Sequence, residues 1–238
     1  MSRESLKARD RLIVALDVNT RDQALTIVEE LEGLVSFFKV GYQLFLSEGL
    51  PFVRELIQKN KRTFLDLKMN DIEETIRLAV SVTAAIGVEF LTIQGNGATA
   101  RAAREGRGTH KTPKVLYLTL LSSLDAGDLQ DSFGGATMKL NDHVKARARQ
   151  ALENGSDGLI ASGETIGILR REHPDAIIVS PGIRPSDVPH DDHKRACTPA
   201  EAIRAGADYL VIGRPIRNAS NRRLAAERII GEIEEALG

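Results

Sequence analysis

Thr63-Phe64-Leu65-Asp66-Leu67-Lys68-Met69-Asn70-Asp71 joins a short apolar run to three charged side chains, and an amphipathic stretch reaching Ile86 follows at once. The run Thr63–Leu67 lacks the strict polar alternation of a half-exposed strand, as expected of a strand covered on both faces. The stretch Asp71–Ile86 has the length and periodicity of a packed helix. Seven more apolar runs share this pattern: Leu12–Val18, Phe37–Val40, Phe90–Ile93, Val115–Leu121, Gly158–Ala161, Ala176–Val179 and Tyr209–Ile212. Eight strand–helix repeats in 238 residues predict a (β/α)8 barrel, a fold that typically takes about 250 residues. An open doubly wound sheet also alternates strand with helix and is the structural rival. No low-complexity or Pro/Gly/Ser-rich linker divides residues 1–238, so one domain is expected.

Helix boundaries are written into several connections. Thr20 followed by Gln23, and Thr198-Pro199-Ala200-Glu201, read as capping boxes, the second with Pro at the first helical position. Asp71 with Glu74 fits the same pattern. Gly155, Gly206 and Gly238 stand where helices should stop, and Leu224–Leu237 reads as a closing helix. Two irregular stretches, Ser122–Lys139 and Pro181–Lys194, follow the fifth and seventh runs, on the face where a barrel keeps its active site.

Composition narrows the function. Lys and Arg total 32 against 33 acids, which argues against a nucleic-acid or anionic-membrane binder. A single cysteine, Cys197, cannot form an intramolecular disulfide or a Cys-rich zinc site. The charged opening MSRESLKARDR has no apolar core for a signal peptide, and no apolar run nears the ~20 residues that span a bilayer. A soluble, cytoplasmic protein is expected. No GxGxxG follows a strand, and neither GxxxxGK[ST] nor HExxH occurs, so the common nucleotide-cofactor and zinc-protease motifs are missing.

The polar residues that interrupt apolar runs carry the chemistry. Asp66 and Lys68 are two apart and therefore share one side of a strand; a structural ion pair at the barrel rim is the plain alternative. Asp17 ends Leu-Ile-Val-Ala-Leu-Asp, and Lys39 lies inside Phe-Phe-Lys-Val-Gly, where a lone lysine could simply snorkel to solvent. Together, three successive strands offer charge at their C-terminal ends. Further on, Ser180-Pro181-Gly182-Ile183-Arg184-Pro185 and Ile212-Gly213-Arg214-Pro215 follow the seventh and eighth runs, the usual phosphate site of such barrels. Glycine lets backbone N–H groups approach an anion, and arginine supplies a two-pronged donor. His110, His143 and His173 read as solvated surface residues. His190 and His193, in the polar loop Pro-His-Asp-Asp-His-Lys, lack a further ligand, and no metal is expected there.

These residues resemble the orotidine 5′-monophosphate decarboxylase family along nearly the whole chain. The resemblance rests on LIVALDV (12–18), FKVGYQLF (38–45), FLDLKMNDI (64–72), VSPGIRP (179–185) and GADYLVIGRPI (206–216). It implies a homodimeric (β/α)8 barrel that turns orotidine monophosphate into UMP and carbon dioxide without metal or organic cofactor. By the same resemblance, Asp17 and Lys39 hold ribose hydroxyls and join a charged network centred on Asp66 and Lys68. Asp71 and Thr75 come from the neighbouring subunit, Ser122 contacts the base, and Arg184, His193, Gly213 and Arg214 gather around the phosphate. The chain departs from the family pattern at Asn70, Gln94 and His193, where His, His and Gln are usual. It departs also at Glu73, usually Pro, and at Ser122, usually Thr. Two other readings compete. One is a magnesium-dependent sugar-phosphate decarboxylase or aldolase of the same superfamily, which typically carries Glu at the Lys39 position. The other is a catalytically silent nucleotide-binding barrel.

Overall fold

The computed structural model describes residues 6–132, 139–185 and 195–238. After a 3-10 turn at Ala8–Arg11, eight parallel strands close on themselves in sequence order. They are β1 (Leu12–Ala15), β2 (Phe37–Gly41), β3 (Arg62–Met69), β4 (Phe90–Ile93), β5 (Lys114–Leu118), β6 (Gly158–Ile160), β7 (Ile177–Ser180) and β8 (Tyr209–Ile212). β8 pairs with β1 through Leu12–Leu210, Ile13–Val211 and Val14–Ile212, which rules out the open sheet. The eight predicted runs match these strands, with two overshooting. β1 stops at Ala15 and β5 at Leu118, and the apolar runs continue because Leu16 and Leu120 stay buried beyond the strand ends.

The outer layer holds α1 (Arg21–Glu30), α2 (Tyr42–Gln58), α3 (Glu73–Ile86), α4 (Gly97–Arg107), α5 (Ala126–Ser132), α6 (Leu140–Glu153), α7 (Thr165–Glu172), α8 (Pro199–Ala205), α9 (Arg214–Arg217) and α10 (Arg222–Leu237). Thr20 caps α1 by accepting from the Gln23 N–H, and Thr198 with Glu201 forms a complete capping box on α8. The box expected at Asp71 does not form. α3 starts at Glu73 behind Ile72, Asp71 turns its carboxylate onto the Ile72 N–H at 2.7 Å, and Glu74 pairs with Arg77 instead. α2 breaks at Gly49, whose φ of 63° only glycine adopts cheaply, and Pro51 then opens its second half. His143 and His173 are half-buried rather than solvated, whereas His110 is exposed.

Strand alternation divides the apolar side chains into two cores. Leu12, Val14, Phe38 and Val40 point outward into the layer shared with the helices. Ile13, Ala15, Phe37, Phe64, Phe90, Tyr209 and Val211 fill the barrel interior. Burial on both faces is why the runs read as apolar without alternation. Continued at period two, the inward columns reach Asp17 after Ala15, Lys39 after Phe37, Asp66 and Lys68 after Phe64, Thr92 after Phe90, and Gly213 after Val211. Aromatic groups thus floor the barrel and charged groups line its mouth.

Candidate active site

At that mouth lies a cavity of about 330 Å³. Asp17, Lys39, Asp66 and Lys68 line one side, Arg184, Gly213, Arg214 and Arg217 another, and Ser122 a third, with Ala15, Phe64, Ile160 and Val211 beneath. The four charged residues form one chain of contacts. Lys39 Nζ stands 2.9 Å from Asp17 Oδ1 and 3.7 Å from Asp66 Oδ2, and Lys68 Nζ stands 2.9 Å from Asp66 Oδ1. Lys39 is 7% exposed, so it does not snorkel; it is held inside by its carboxylates. An added Cβ at Gly41 would lie 2.8 Å from Lys39 Nζ, so the absence of a side chain there leaves room for the ammonium.

Burial alone pushes the Asp66 carboxyl upward. The Lys39 and Lys68 ammoniums, with hydrogen bonds from Lys68 and Thr92, outweigh that and hold it below the usual aspartate value. Asp66 is therefore an anion clasped between two cations.

β3 is not regular where it delivers Lys68. Its register with β4 shifts between Leu65 and Met69, and Lys68 sits at φ 44°, a left-handed conformation rare for lysine. The peptide unit joining Leu67 to Lys68 leaves the ladder and is held by side chains. Tyr42 Oη donates to the Leu67 carbonyl, and the Lys68 N–H donates to Thr92 Oγ1 at 2.9 Å. Tyr42 also places its ring 5.9 Å from Lys68 Nζ.

At the opposite end, Arg184 is 3% exposed, its N–H donating to the Cys197 carbonyl and its Nη1 to the Ile183 carbonyl. Gly213 precedes Arg214, the first residue of α9. Arg217, one turn on, donates from Nη1 to the Asp17 carbonyl and ties this end to the β1 loop. The described lining residues bring five cationic side chains against two carboxylates, a surplus suited to a strongly anionic ligand. Among the described residues no cluster of His, Cys, Asp or Glu could hold a metal.

The structure therefore gathers Asp17, Lys39, Asp66, Lys68, Ser122, Arg184, Gly213 and Arg214 around one cavity. Asp71 and Thr75 are exposed and lie outside it in their own chain. His193 lies outside the described residues. Sequence reasoning missed Tyr42, Thr92 and Arg217. The spacing of Arg217 from Arg214, one helical turn, was the available signal for the last.

A family model described as "Orotidine 5'-phosphate decarboxylase / HUMPS family" matches residues 10–229. The chain belongs to that family. Among curated relatives, the orotidine 5′-phosphate decarboxylase of Nitrobacter winogradskyi is 47% identical over 237 residues, covering 99% of this chain and 98% of the relative. That of Rhodopseudomonas palustris (strain HaA2) is 45% identical over 229 residues, 96% of each. The crystal structure of orotidine 5′-phosphate decarboxylase from Lactobacillus acidophilus superposes with a TM-score of 0.81 at 32% identity, covering 93% of this chain and 98% of that one. The residues that line the cavity thus sit within the matched span of the decarboxylase family.

Proposed function

We propose that this chain decarboxylates orotidine 5′-monophosphate to UMP, the closing step of de novo pyrimidine nucleotide synthesis, with Lys68 as the proton donor. The observation that carries the reading is the Lys39–Asp66–Lys68 chain facing a cationic end across one small cavity. A phosphate dianion and a carboxylate give the substrate three negative charges, the size of the surplus among the described lining residues. Arg184, Gly213 and Arg214 take the phosphate; Asp17 and Lys39 take the ribose hydroxyls; Ser122 meets the base.

The chemistry follows from the charges. The C6–carboxylate bond breaks, carbon dioxide leaves, and the electron pair stays on C6 in an orbital that the ring π system cannot delocalise. Only a local electric field stabilises it. The Lys68 ammonium supplies that field and then gives C6 a proton, and the neutral amine is reprotonated from solvent. Asp66 fixes the ammonium beforehand, so little reorganisation is left for the reaction step. Binding of the remote phosphate contributes to lowering the chemical barrier, not merely to affinity.

Asp71 and Thr75 act from a partner subunit in this reading. Two facts support a homodimer with shared sites: both residues miss their own cavity, and large apolar side chains near them are exposed. Ile72 and Leu78 beside them, and Tyr42 and Leu46 on α2, are 72%, 50%, 53% and 80% exposed. No helix among the described residues is long and apolar enough to cross a membrane, and we place the enzyme in the cytoplasm with no nucleic-acid partner.

Charge disfavours a divalent metal, and with it the magnesium-dependent sugar-phosphate reading. A divalent ion beside Asp66 would have to share it with the ammoniums of Lys39 and Lys68. The test is loss of orotidine monophosphate absorbance on adding metal-stripped protein in excess EDTA. Turnover under those conditions is expected; inactivation by the chelator would select the sugar-phosphate reading. Tight UMP binding without release of carbon dioxide would select the silent barrel.

A further inference from the structure

We infer that Thr92 is a positioning residue for the proton donor: its single hydroxyl locks the backbone and the ammonium of Lys68 into one closed circuit with Asp66. This rests on the reading of Lys68 given above and goes beyond it, since Thr92 does not line the cavity and touches no reacting atom.

The circuit is read directly from the contacts. The Lys68 N–H donates to Thr92 Oγ1 at 2.9 Å, Thr92 Oγ1 donates to Asp66 Oδ1 at 2.8 Å, and Asp66 Oδ1 accepts from Lys68 Nζ at 2.9 Å. The ionised Asp66 can only accept, so the hydroxyl proton points to it and an oxygen lone pair faces the Lys68 N–H. One hydroxyl therefore satisfies both partners, and Thr92, 1% exposed on β4, has no solvent to exchange with.

The backbone explains why such a lock is needed. Among the described non-glycine residues only Asn60 and Lys68 have positive φ. Asparagine tolerates that region; lysine adopts it only where surrounding contacts over-determine it. The shifted register between Leu65 and Met69 removes the Lys68 N–H from β4's backbone, and the Thr92 side chain replaces the missing carbonyl. Without the hydroxyl, a part-buried N–H and a carboxylate oxygen lose a partner together. Lys68 can then relax toward an ordinary strand conformation that carries its ammonium away from the place fixed for it.

Thr92→Val keeps the branched shape and deletes the hydroxyl, while Thr92→Ser keeps the hydroxyl. Loss of a hydrogen bond to a charged group corresponds to roughly a 10- to 100-fold effect. The expected result is a fall of about that size in kcat for Thr92→Val, with KM for orotidine monophosphate and affinity for UMP unchanged, and kcat largely restored in Thr92→Ser. A purely structural role would instead lower folding stability or UMP affinity without a hydroxyl-dependent kcat. Wild-type kcat in Thr92→Val, or equal loss in Val and Ser variants, overturns the inference. Should Thr92→Val fail to fold, Thr92→Ala compared with Thr92→Ser decides by the same criterion. Absence of turnover in the unsubstituted enzyme removes the decarboxylase reading on which this depends; turnover in Thr92→Val at the wild-type rate removes this inference alone.

Discussion

The two ends of the barrel solve the same problem, a charge among apolar side chains, in opposite ways. At the floor, the first residues of four strands, Phe37, Phe90 and Tyr209 with Arg62, close the interior. Phe90 meets Phe37 and Tyr209 edge-on, each at 5.0 Å between centroids. The Arg62 guanidinium lies 4.1 Å over the Phe37 ring and pairs with Glu89 at 3.0 Å. That cation is packed on one side and neutralised on the other. At the mouth, Lys39 and Lys68 share Asp66, and the ammonium of Lys68 remains turned into an open cavity. The floor spends its contacts on stability; the mouth holds charge ready for a ligand that completes it. Buried charge that is only partly compensated is a cost to folding, so its presence at one end and not the other marks where function lies.

The contrast is broken most sharply by one substitution at each end. Lys68→Ala should abolish measurable decarboxylation, a loss of more than about a thousand-fold in kcat, because it removes both the field at C6 and the proton. UMP binding, followed by calorimetry, should survive. Near wild-type turnover in this variant would sink the mechanism. Phe90→Ala should do the reverse. Truncating a fully buried ring costs about 3–5 kcal/mol of folding stability, read as a lowered urea midpoint, while kcat per folded molecule stays put. A matching loss of kcat would mean that the floor and the mouth are one cooperative unit.

Arg214→Ala sharpens the picture within the mouth itself. Arg214 lines the same cavity as Lys68 and serves the phosphate in the proposed pose. Its loss should raise KM by about 10- to 100-fold, the usual size for a charged hydrogen bond. The reaction of a substrate analogue lacking phosphate should be untouched, and that comparison of two substrates checks the assignment.

How much of this could be read from the chain alone follows the same division. The barrel was legible because every strand is buried on two faces, so burial and pairing leave one shared signal in Leu12, Val14, Phe37 and Phe90. Strand ends were less so: Leu16 and Leu120 remain buried past the ends of β1 and β5, and an apolar pattern reports burial rather than strand length. Asp17, Lys39, Asp66 and Lys68 stood out because a charge is expensive in such a run. Thr92 did not, since a threonine in Phe-Leu-Thr-Ile is what any strand prefers. Its task depends on a register shift and a positive φ at a residue 24 positions earlier, and neither leaves a local trace. Asp71 misled in a different way: its spacing to Glu74 suits a cap, but Ile72 took that position.

The smallest expected effect concerns the charge state of Asp66. Its carboxyl is held below the ordinary value near 3.8, chiefly by the two ammoniums working against burial. Between the folded and unfolded values, the unfolded chain binds more protons, so stability rises with pH there. The contribution of Asp66 is thus fully present above the unfolded value and is lost as the pH falls through the folded one. Other carboxylates, Glu32, Glu74 and Glu172 among them, are also lowered by basic partners, so the wild-type curve alone does not isolate Asp66. Urea unfolding of wild type and Asp66→Asn, compared over about pH 3 to 6, does, because the substituted amide has no proton to gain. The stability gap between them should be constant toward neutrality and narrow in the acid range below the ordinary aspartate value. Wild type gaining stability relative to Asp66→Asn as the pH falls, beginning well above that range, would show that burial, not Lys39 and Lys68, governs the carboxyl. The mouth would then resemble the floor more closely than its open cavity suggests.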